Sequence, residues 1–133
     1  MSTVTFRRAG NGHFEANYVT PEDMLSSARE ELVAALEQEL STRPLSVLFV
    51  VGAATVPRAV PEFWLGVTTR LAPRLCAMAI VSPSLAVRSS VIAFSVANRV
   101  RGVKLAVKAF SPAELEAARQ WCAAQRLAAA PGR

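Results

Sequence analysis

The sequence has few of the residues on which catalysis usually depends. It contains one histidine, His13, and one aspartate, Asp23. His13 opens a predicted strand, where an exposed histidine is a better interpretation than a general base. Asp23 lies in the first turn of a predicted helix, where the helix dipole already explains an acid. No GxSxG elbow, glycine-rich phosphate loop or metal-ligand cluster occurs. The sequence therefore predicts no enzyme, no cofactor and no metal site.

Cysteines and long apolar runs are also scarce. The two cysteines, Cys76 and Cys122, lie in apolar surroundings and lack CxxC spacing, so we interpret them as small buried hydrophobic residues. Arg7 and Asn11 interrupt the N-terminus, which therefore lacks the apolar core of a signal peptide. The longest apolar runs, such as residues 47–54, are shorter than the roughly 20 residues needed to cross a bilayer. We expect a cytoplasmic protein with no transmembrane segment.

Acidic residues are absent from a long part of the chain. Residues 15–62 contain eight acids and three arginines, whereas residues 63–113 contain no acid. The basic residues of the second stretch are Arg70, Arg74, Arg88, Arg99, Arg101, Lys104 and Lys108. We expect one positive side, either simply solvated or able to bind an acidic protein, a phosphate-bearing ligand or a membrane surface. Nucleic acid is disfavoured because aromatics are not interleaved with these bases and no recognition motif is visible.

What is present indicates one compact domain. Hydrophobic residues form 52% of the 133 residues and charged residues 19%, which is typical of a globular protein. We predict a domain over residues 1–128 and a frayed tail over 129–133. Residues 3–8 and 13–19 predict a hairpin around a glycine-containing turn. Thr20 and Pro21 begin a helix that ends near Ser41.

Strands and helices then alternate. The nearly continuous aliphatic run at residues 45–51 predicts a strand buried on both faces. A short helix at 62–71, a second buried strand at 75–81 and a helix at 85–100 are predicted next. A less buried edge strand follows at 103–110. The final helix begins after a capping box formed by Ser111 and Glu114. The order β-β-α-β-α-β-α-β-α predicts a single α/β domain with a mixed, mostly parallel sheet and right-handed crossovers.

Two stretches carry a family resemblance. In residues 77–88 a strand ends in the turn Ser82-Pro83-Ser84 and a helix follows with an early Arg88. Residues 107–121 form a closing strand and a tryptophan-containing helix. Together with the element order, these stretches resemble the STAS domain of anti-sigma-factor antagonists, and more closely the divergent SpoIIAA-like group classed with STAS and SEC14-type domains. The resemblance covers almost the whole chain and implies a regulatory protein.

One motif of the antagonists is missing. Their STAS domains have an Asp-Ser pair after the third strand, where phosphorylation of the serine adds charge and switches binding. Residues 51–64 contain no Asp and no Ser, and Thr55 is the only hydroxyl residue there. We therefore expect a module without the phosphoserine switch.

We predict a contact surface formed by residues 56–69 and the start of the helix after Ser84. Phe63 and Trp64 are adjacent, about 100° apart on a helix, so they cannot both lie at the centre of one buried stripe. Trp64 admits two interpretations: it packs at the edge of the core, or it is partly exposed as a contact hot spot or at the mouth of an apolar pocket. The residues assigned to this surface are Thr55, Arg58, Phe63, Trp64, Ser84 and Arg88.

The turn before that helix admits two interpretations. Ser82 and Ser84 stand at a helix N-terminus, where backbone amides could hold an anion, but ordinary capping explains the serines equally well.

The expected function is binding without catalysis. We predict a regulatory or scaffolding protein-interaction module of bacterial signalling that binds a protein partner; whether that partner is acidic and whether the module forms a homodimer are left open. The alternative is a carrier or sensor of a small apolar, lipid-like or anionic ligand. A hydrolase or transferase is a third hypothesis, and it would have to use His13.

Overall fold

Five strands form one sheet in the order in which they occur in the sequence. The computed structural model describes residues 5–8, 13–18, 28–52, 56–72 and 74–129. β1 pairs with β2 in antiparallel fashion, and β2 to β5 are parallel to one another. The strands are β1 (Thr5–Arg8), β2 (His13–Tyr18), β3 (Leu45–Val51), β4 (Leu75–Val81) and β5 (Ala106–Phe110).

Helices connect the parallel strands, so the predicted single α/β domain is confirmed. The described helices are α1 (Ala28–Leu40), α2 (Ala59–Leu71), α3 (Leu85–Val100), the 3₁₀ turn Pro112–Glu114 and α4 (Leu115–Ala129). The predicted bounds of β3, β4 and α3 agree with the structure, and α2 begins three residues earlier than predicted. The predicted hairpin turn and helix start at Thr20 and Pro21 lie outside the described residues, as do residues 130–133 of the predicted tail.

β5 is an edge strand, as predicted, but it begins at Ala106 and not at residue 103. The difference comes from the way α3 ends. Gly102 has a φ of +76° and the Val103 N–H donates to the Asn98 carbonyl at 2.9 Å, which closes the helix with a left-handed residue. Residue 103 is therefore used to cap α3.

The helices lie on both faces of the sheet. α1, α2 and α3 contribute to one large hydrophobic cluster, through residues such as Leu36, Trp64 and Val91. Right-handed crossovers place their helices on the same face of the sheet when each new parallel strand is added on the same side of the one before it. Residues Ala118 and Cys122 of α4 belong to a second cluster on the opposite face. β3 and β4 are covered on both faces, which explains their nearly continuous apolar sequences.

α4 is held to the sheet by polar as well as apolar contacts. The Ser46 hydroxyl of β3 donates to the Cys122 carbonyl at 2.8 Å. Phe110 and Trp121 pack edge to face, with ring centroids 5.9 Å apart. Within the described part of the chain, no helix combines the length and apolar character needed to cross a membrane.

Candidate binding surfaces

An apolar cavity lies between α2 and α3, above the carboxyl ends of β3 and β4. Its volume is about 80 Å³. In open α/β sheets, ligands bind beyond the carboxyl ends of the strands. The lining residues are Phe49, Val51, Val56, Val60, Pro61, Trp64, Met78, Ile80, Val87, Ser90, Val91 and Phe94.

The cavity is suited to an apolar group. Among the described residues that line it, Ser90 provides the one hydroxyl, and that hydroxyl donates to the Val87 carbonyl at 2.7 Å. The remaining lining side chains are aliphatic, aromatic or thioether groups, which offer dispersion contacts but almost no hydrogen bonds. A ligand here would bind through its hydrocarbon part.

Trp64 lines this cavity from within the core. It is 5% exposed, so the interpretation of Trp64 as a partly exposed contact residue is wrong and packing in the core is the correct alternative. The buried stripe of α2 passes through Val60, Trp64 and Val67, and the Trp64 ring packs edge to face on Phe49 at 5.0 Å. Phe63 is half-buried, and the Arg29 guanidinium lies 4.1 Å from the centre of its ring. The two adjacent aromatics do differ in burial, but Trp64 is the inner one.

The serines before α3 act as caps. The Ser84 hydroxyl accepts from the Val87 N–H at 3.2 Å, and the Ser82 hydroxyl accepts from the Ser84 N–H at 3.1 Å. Arg88 is half-buried and donates through Nη1 to the Ser82 carbonyl at 2.6 Å. These contacts anchor the start of α3. They show that the hydroxyls of Ser82 and Ser84 accept hydrogen bonds from backbone N–H groups, as capping requires.

The two predicted contact segments lie on either side of the same cavity. Val60 and Trp64 of α2 face Val87 and Val91 of α3 across it. Arg58 is exposed beside the start of α2. Thr55 lies outside the described residues.

A second concave surface, which sequence reasoning missed, lies between the outer side of α3 and the edge strand β5. We call it the α3–β5 groove; its volume is about 570 Å³. Four apolar residues of α3 are unusually exposed: Leu85 (71%), Ile92 (67%), Val96 (47%) and Val100 (80%). Of the described residues assigned to the predicted contact surface, only Arg88 lines this groove. The available signal was that α3 has apolar residues on both sides, more than one core-facing stripe requires.

Basic side chains border this groove. Arg88 and Arg99 line it on the α3 side, and Arg101 and Lys104 are exposed in the nearby turn between α3 and β5. Lys108 lines it on β5, and its ammonium lies beside the Phe110 ring. The remaining basic residues of the acid-free stretch are engaged elsewhere, because Arg70 pairs with Glu37 at 3.1 Å and Arg74 donates to the Leu40 carbonyl. No acidic residue lines the groove among the described residues. The surface is therefore apolar in the middle and positive at its borders.

One acid lies close to the border of the groove. Glu114 accepts a hydrogen bond from the Ser111 N–H at 2.8 Å, as the predicted capping box requires. Hydrogen bonds from Ser111 are the main reason that the pKa of Glu114 lies below its ordinary value, and the charges of Lys108 and Arg88 lower it further. The positive border thus acts on an anion placed beside it.

The thiols do not form a reactive site. Cys122 is fully buried, and burial raises its pKa to about 12. Cys76 is half-buried, and burial also raises its pKa above the ordinary value. Both thiols are therefore protonated at neutral pH and poor nucleophiles. His13 lies on β2 opposite Ser46 of β3, and Asp23 is outside the described residues.

Comparisons of the chain with protein-family models, with curated proteins and with solved structures found no match in any of the three. The fold and the two concave surfaces define a small α/β protein in which α3 forms a wall of both surfaces. A functional assignment therefore rests on the shape and chemistry of these surfaces.

Proposed function

We propose that this protein is a non-catalytic module that binds a protein partner through the α3–β5 groove. The observation that carries the proposal is the exposed apolar stripe on α3 with its basic border. A regulatory or scaffolding role in bacterial signalling, in the cytoplasm and without a phosphoserine switch, is part of the proposal. The surface differs from the predicted one, because Trp64 is buried and the outer side of α3 takes its place.

The composition of the groove supports this role. Protein interfaces have an apolar centre that loses its water and a polar rim that sets orientation, and arginine is enriched in them. Ile92 and Val96 supply such a centre, and Arg99 is part of the rim. Contiguous exposed apolar surface rimmed by polar groups is typical of interaction sites. The element order also resembles that of STAS domains, and this resemblance favours a regulatory module.

The test is site-specific crosslinking in the organism that makes the protein. A photo-crosslinking amino acid at Ile92 should capture one partner, identified by mass spectrometry, and Arg99→Glu should abolish that product. Gln38, exposed on α1, is the matched control position. Equal products from Gln38 and Ile92, or no product from Ile92, would contradict the proposal.

The cavity favours a second candidate function, a carrier or sensor of a small apolar ligand. A dry cavity of about 150 Å³ binds benzene in an engineered protein, so a cavity of about 80 Å³ fits a smaller hydrocarbon group, such as the end of an acyl chain.

Tryptophan fluorescence tests this second candidate. Trp121→Phe leaves Trp64 as the only tryptophan, and Trp64 lines the cavity. Titration with 1-hexanol should change the Trp64 emission, and Ser90→Leu, which fills the cavity, should abolish the change. Native mass spectrometry of protein from its own host should show a bound small molecule. An unchanged emission together with ligand-free protein would rule the carrier out.

A further inference from the structure

We infer that the α3–β5 groove binds an extended acidic segment of a partner protein, which adds a strand to the edge of β5. The inference rests on the proposed function, since it specifies how the partner docks. Strand addition is a common mode of peptide recognition, in which backbone hydrogen bonds supply affinity and alternate side chains supply specificity.

The backbone of β5 is open to such an addition. No described strand pairs with its outer side, because β5 ends the sheet order. The Phe110 carbonyl accepts from the Ser82 N–H at 3.0 Å and therefore points toward the β4 side. Backbone groups of successive strand residues point to opposite sides, so Val107 and Ala109 present their N–H and C=O groups outward.

The two walls of the groove are similar in length. From Leu85 to Val96, α3 extends about 16 Å at its ordinary rise per residue. β5 has five residues, whose first and last Cα atoms are about 13 Å apart in a strand. A partner segment of similar length can therefore pair along all of β5 while its side chains on one face contact Ile92 and Val96.

Charge selects an acidic segment. Arg88 lies near the Phe110 end of the groove, because both contact Ser82, and Arg99 lies near the other end, where α3 turns toward β5. The Lys108 ammonium lies 5.2 Å from the Phe110 ring, on the face of the sheet opposite α3. Acids at the ends of the segment and on its second face would meet these charges.

The same charges disfavour a second copy of this chain. In a two-fold arrangement the basic border of one groove would face that of its partner, and like charges across an interface are destabilising. The concave shape and the open strand edge also favour a peptide backbone over a flat lipid surface, because lipids cannot form the alternating hydrogen bonds of a ladder.

The first experiment uses the full chain, labelled with ¹⁵N, and a blocked heptapeptide in which glutamate alternates with isoleucine or valine. Amide resonances of α3 and β5 should shift on titration, and the shifts should weaken with added salt. A peptide with lysine in place of glutamate should bind at least tenfold more weakly. Absence of shifts in α3 and β5 at millimolar peptide would overturn the inference.

Backbone methylation separates strand addition from other docking modes without altering the protein. Two peptides carry N-methyl groups on alternate residues, one at odd and one at even positions. Only one set of amides can face β5, so one peptide should lose binding about tenfold or more and the other should retain it. Equal affinities of the two methylated peptides would exclude strand addition.

Protein variants locate the site. Ile92→Glu and Arg99→Glu should each weaken peptide binding about tenfold, whereas Gln38→Glu on α1 should leave it unchanged. If crosslinking at Ile92 captures a partner but the methylated peptides bind equally, the proposed function stands and strand addition is wrong. A dimer abolished by Ile92→Glu, or binding to phosphatidylglycerol vesicles, with no peptide binding in either case, would overturn the inference.

Discussion

The Thr68 hydroxyl of α2 donates to the Asn98 side-chain carbonyl of α3 at 2.7 Å, at a site where both residues are almost fully buried. The Asn98 amide in turn donates to the Phe94 carbonyl at 3.0 Å. This hydrogen bond joins the two helices that border the apolar cavity. It gives their packing a polar connection that only one relative position of the helices satisfies.

Removing the Thr68 hydroxyl should destabilise the fold. Thr68→Val keeps the shape of the side chain but leaves the Asn98 oxygen buried without this donor, which costs about 1–3 kcal/mol. Chemical denaturation followed by circular dichroism measures the free energy of unfolding. The double variant Thr68→Val with Asn98→Leu should recover part of the loss. Identical stabilities of wild type and Thr68→Val would contradict this account of the α2–α3 contact.

Arg119 should stabilise the domain through Glu15. Its Nε donates to the buried Glu15 carboxylate at 2.9 Å, and this hydrogen bond raises the pKa of Arg119 above its ordinary value. While the Glu15 carboxylate is ionised, the raised pKa of Arg119 means that this stabilisation is lost only as the pH rises through the range where arginine deprotonates. Because Arg119 is partly solvated, Arg119→Met should lower the free energy of unfolding by about 2 kcal/mol, less than for a fully buried pair.

Two variants control this measurement. Arg43→Met removes a more exposed pair with Glu39, at 3.7 Å, and should change stability by less than about 0.5 kcal/mol. Combining Glu15→Gln with Arg119→Met should cost less than Arg119→Met alone, because the carboxylate charge is then absent from the buried site. Equal losses for Arg43→Met and Arg119→Met would show that burial of Glu15 does not matter.

Trp64 and Ile92 should respond in opposite ways. Trp64→Ala removes a core side chain that packs on Phe49 and Phe63, and should cost about 3 kcal/mol or more in the free energy of unfolding. Ile92→Ala acts at an exposed position and should change stability by less than about 0.5 kcal/mol. Urea denaturation measured by circular dichroism compares them. A large loss of stability in Ile92→Ala would mean that the exposed stripe on α3 belongs to the core.

The two thiols should react at different rates. Native protein treated with iodoacetamide at mildly alkaline pH should be alkylated at Cys76 well before Cys122, whose pKa is raised to about 12 by burial. In denaturant both thiols should react at the same rate. Peptide mass spectrometry assigns each product. Rapid labelling of Cys122 in the native protein would be inconsistent with its place between α4 and the sheet.

Local patterns in the sequence were sufficient to locate most elements. The runs that form β3 and β4 are almost entirely apolar because both faces of those strands are covered, so the sequence predicted their bounds correctly. α3 was delimited by a capping serine and by Gly102. The start of β5 was predicted too early, at residue 103. Valine is typical of strands, and only the hydrogen bond from Val103 to Asn98 shows that this residue belongs to the end of α3.

The candidate sites were harder to predict. Residues 56–69 and the start of α3 were predicted to form one contact surface, and in the structure residues of both segments line an apolar cavity. Whether Phe63 or Trp64 faces inward depends on how α2 is rotated against β3, which adjacent aromatics do not specify. The α3–β5 groove requires knowing that β5 ends the sheet.

The sequence by itself determined that the chain alternates strands and helices, that its second half is basic, and that residues able to support catalysis are scarce, because these properties depend on composition and short-range periodicity. The tertiary structure alone decided the strand order, the grouping of α1, α2 and α3 on one face, and the burial of Trp64. It also placed Arg88 and Arg99 beside one groove along the edge strand β5. These features depend on contacts between residues far apart in the chain, which hydrophobic periodicity does not encode.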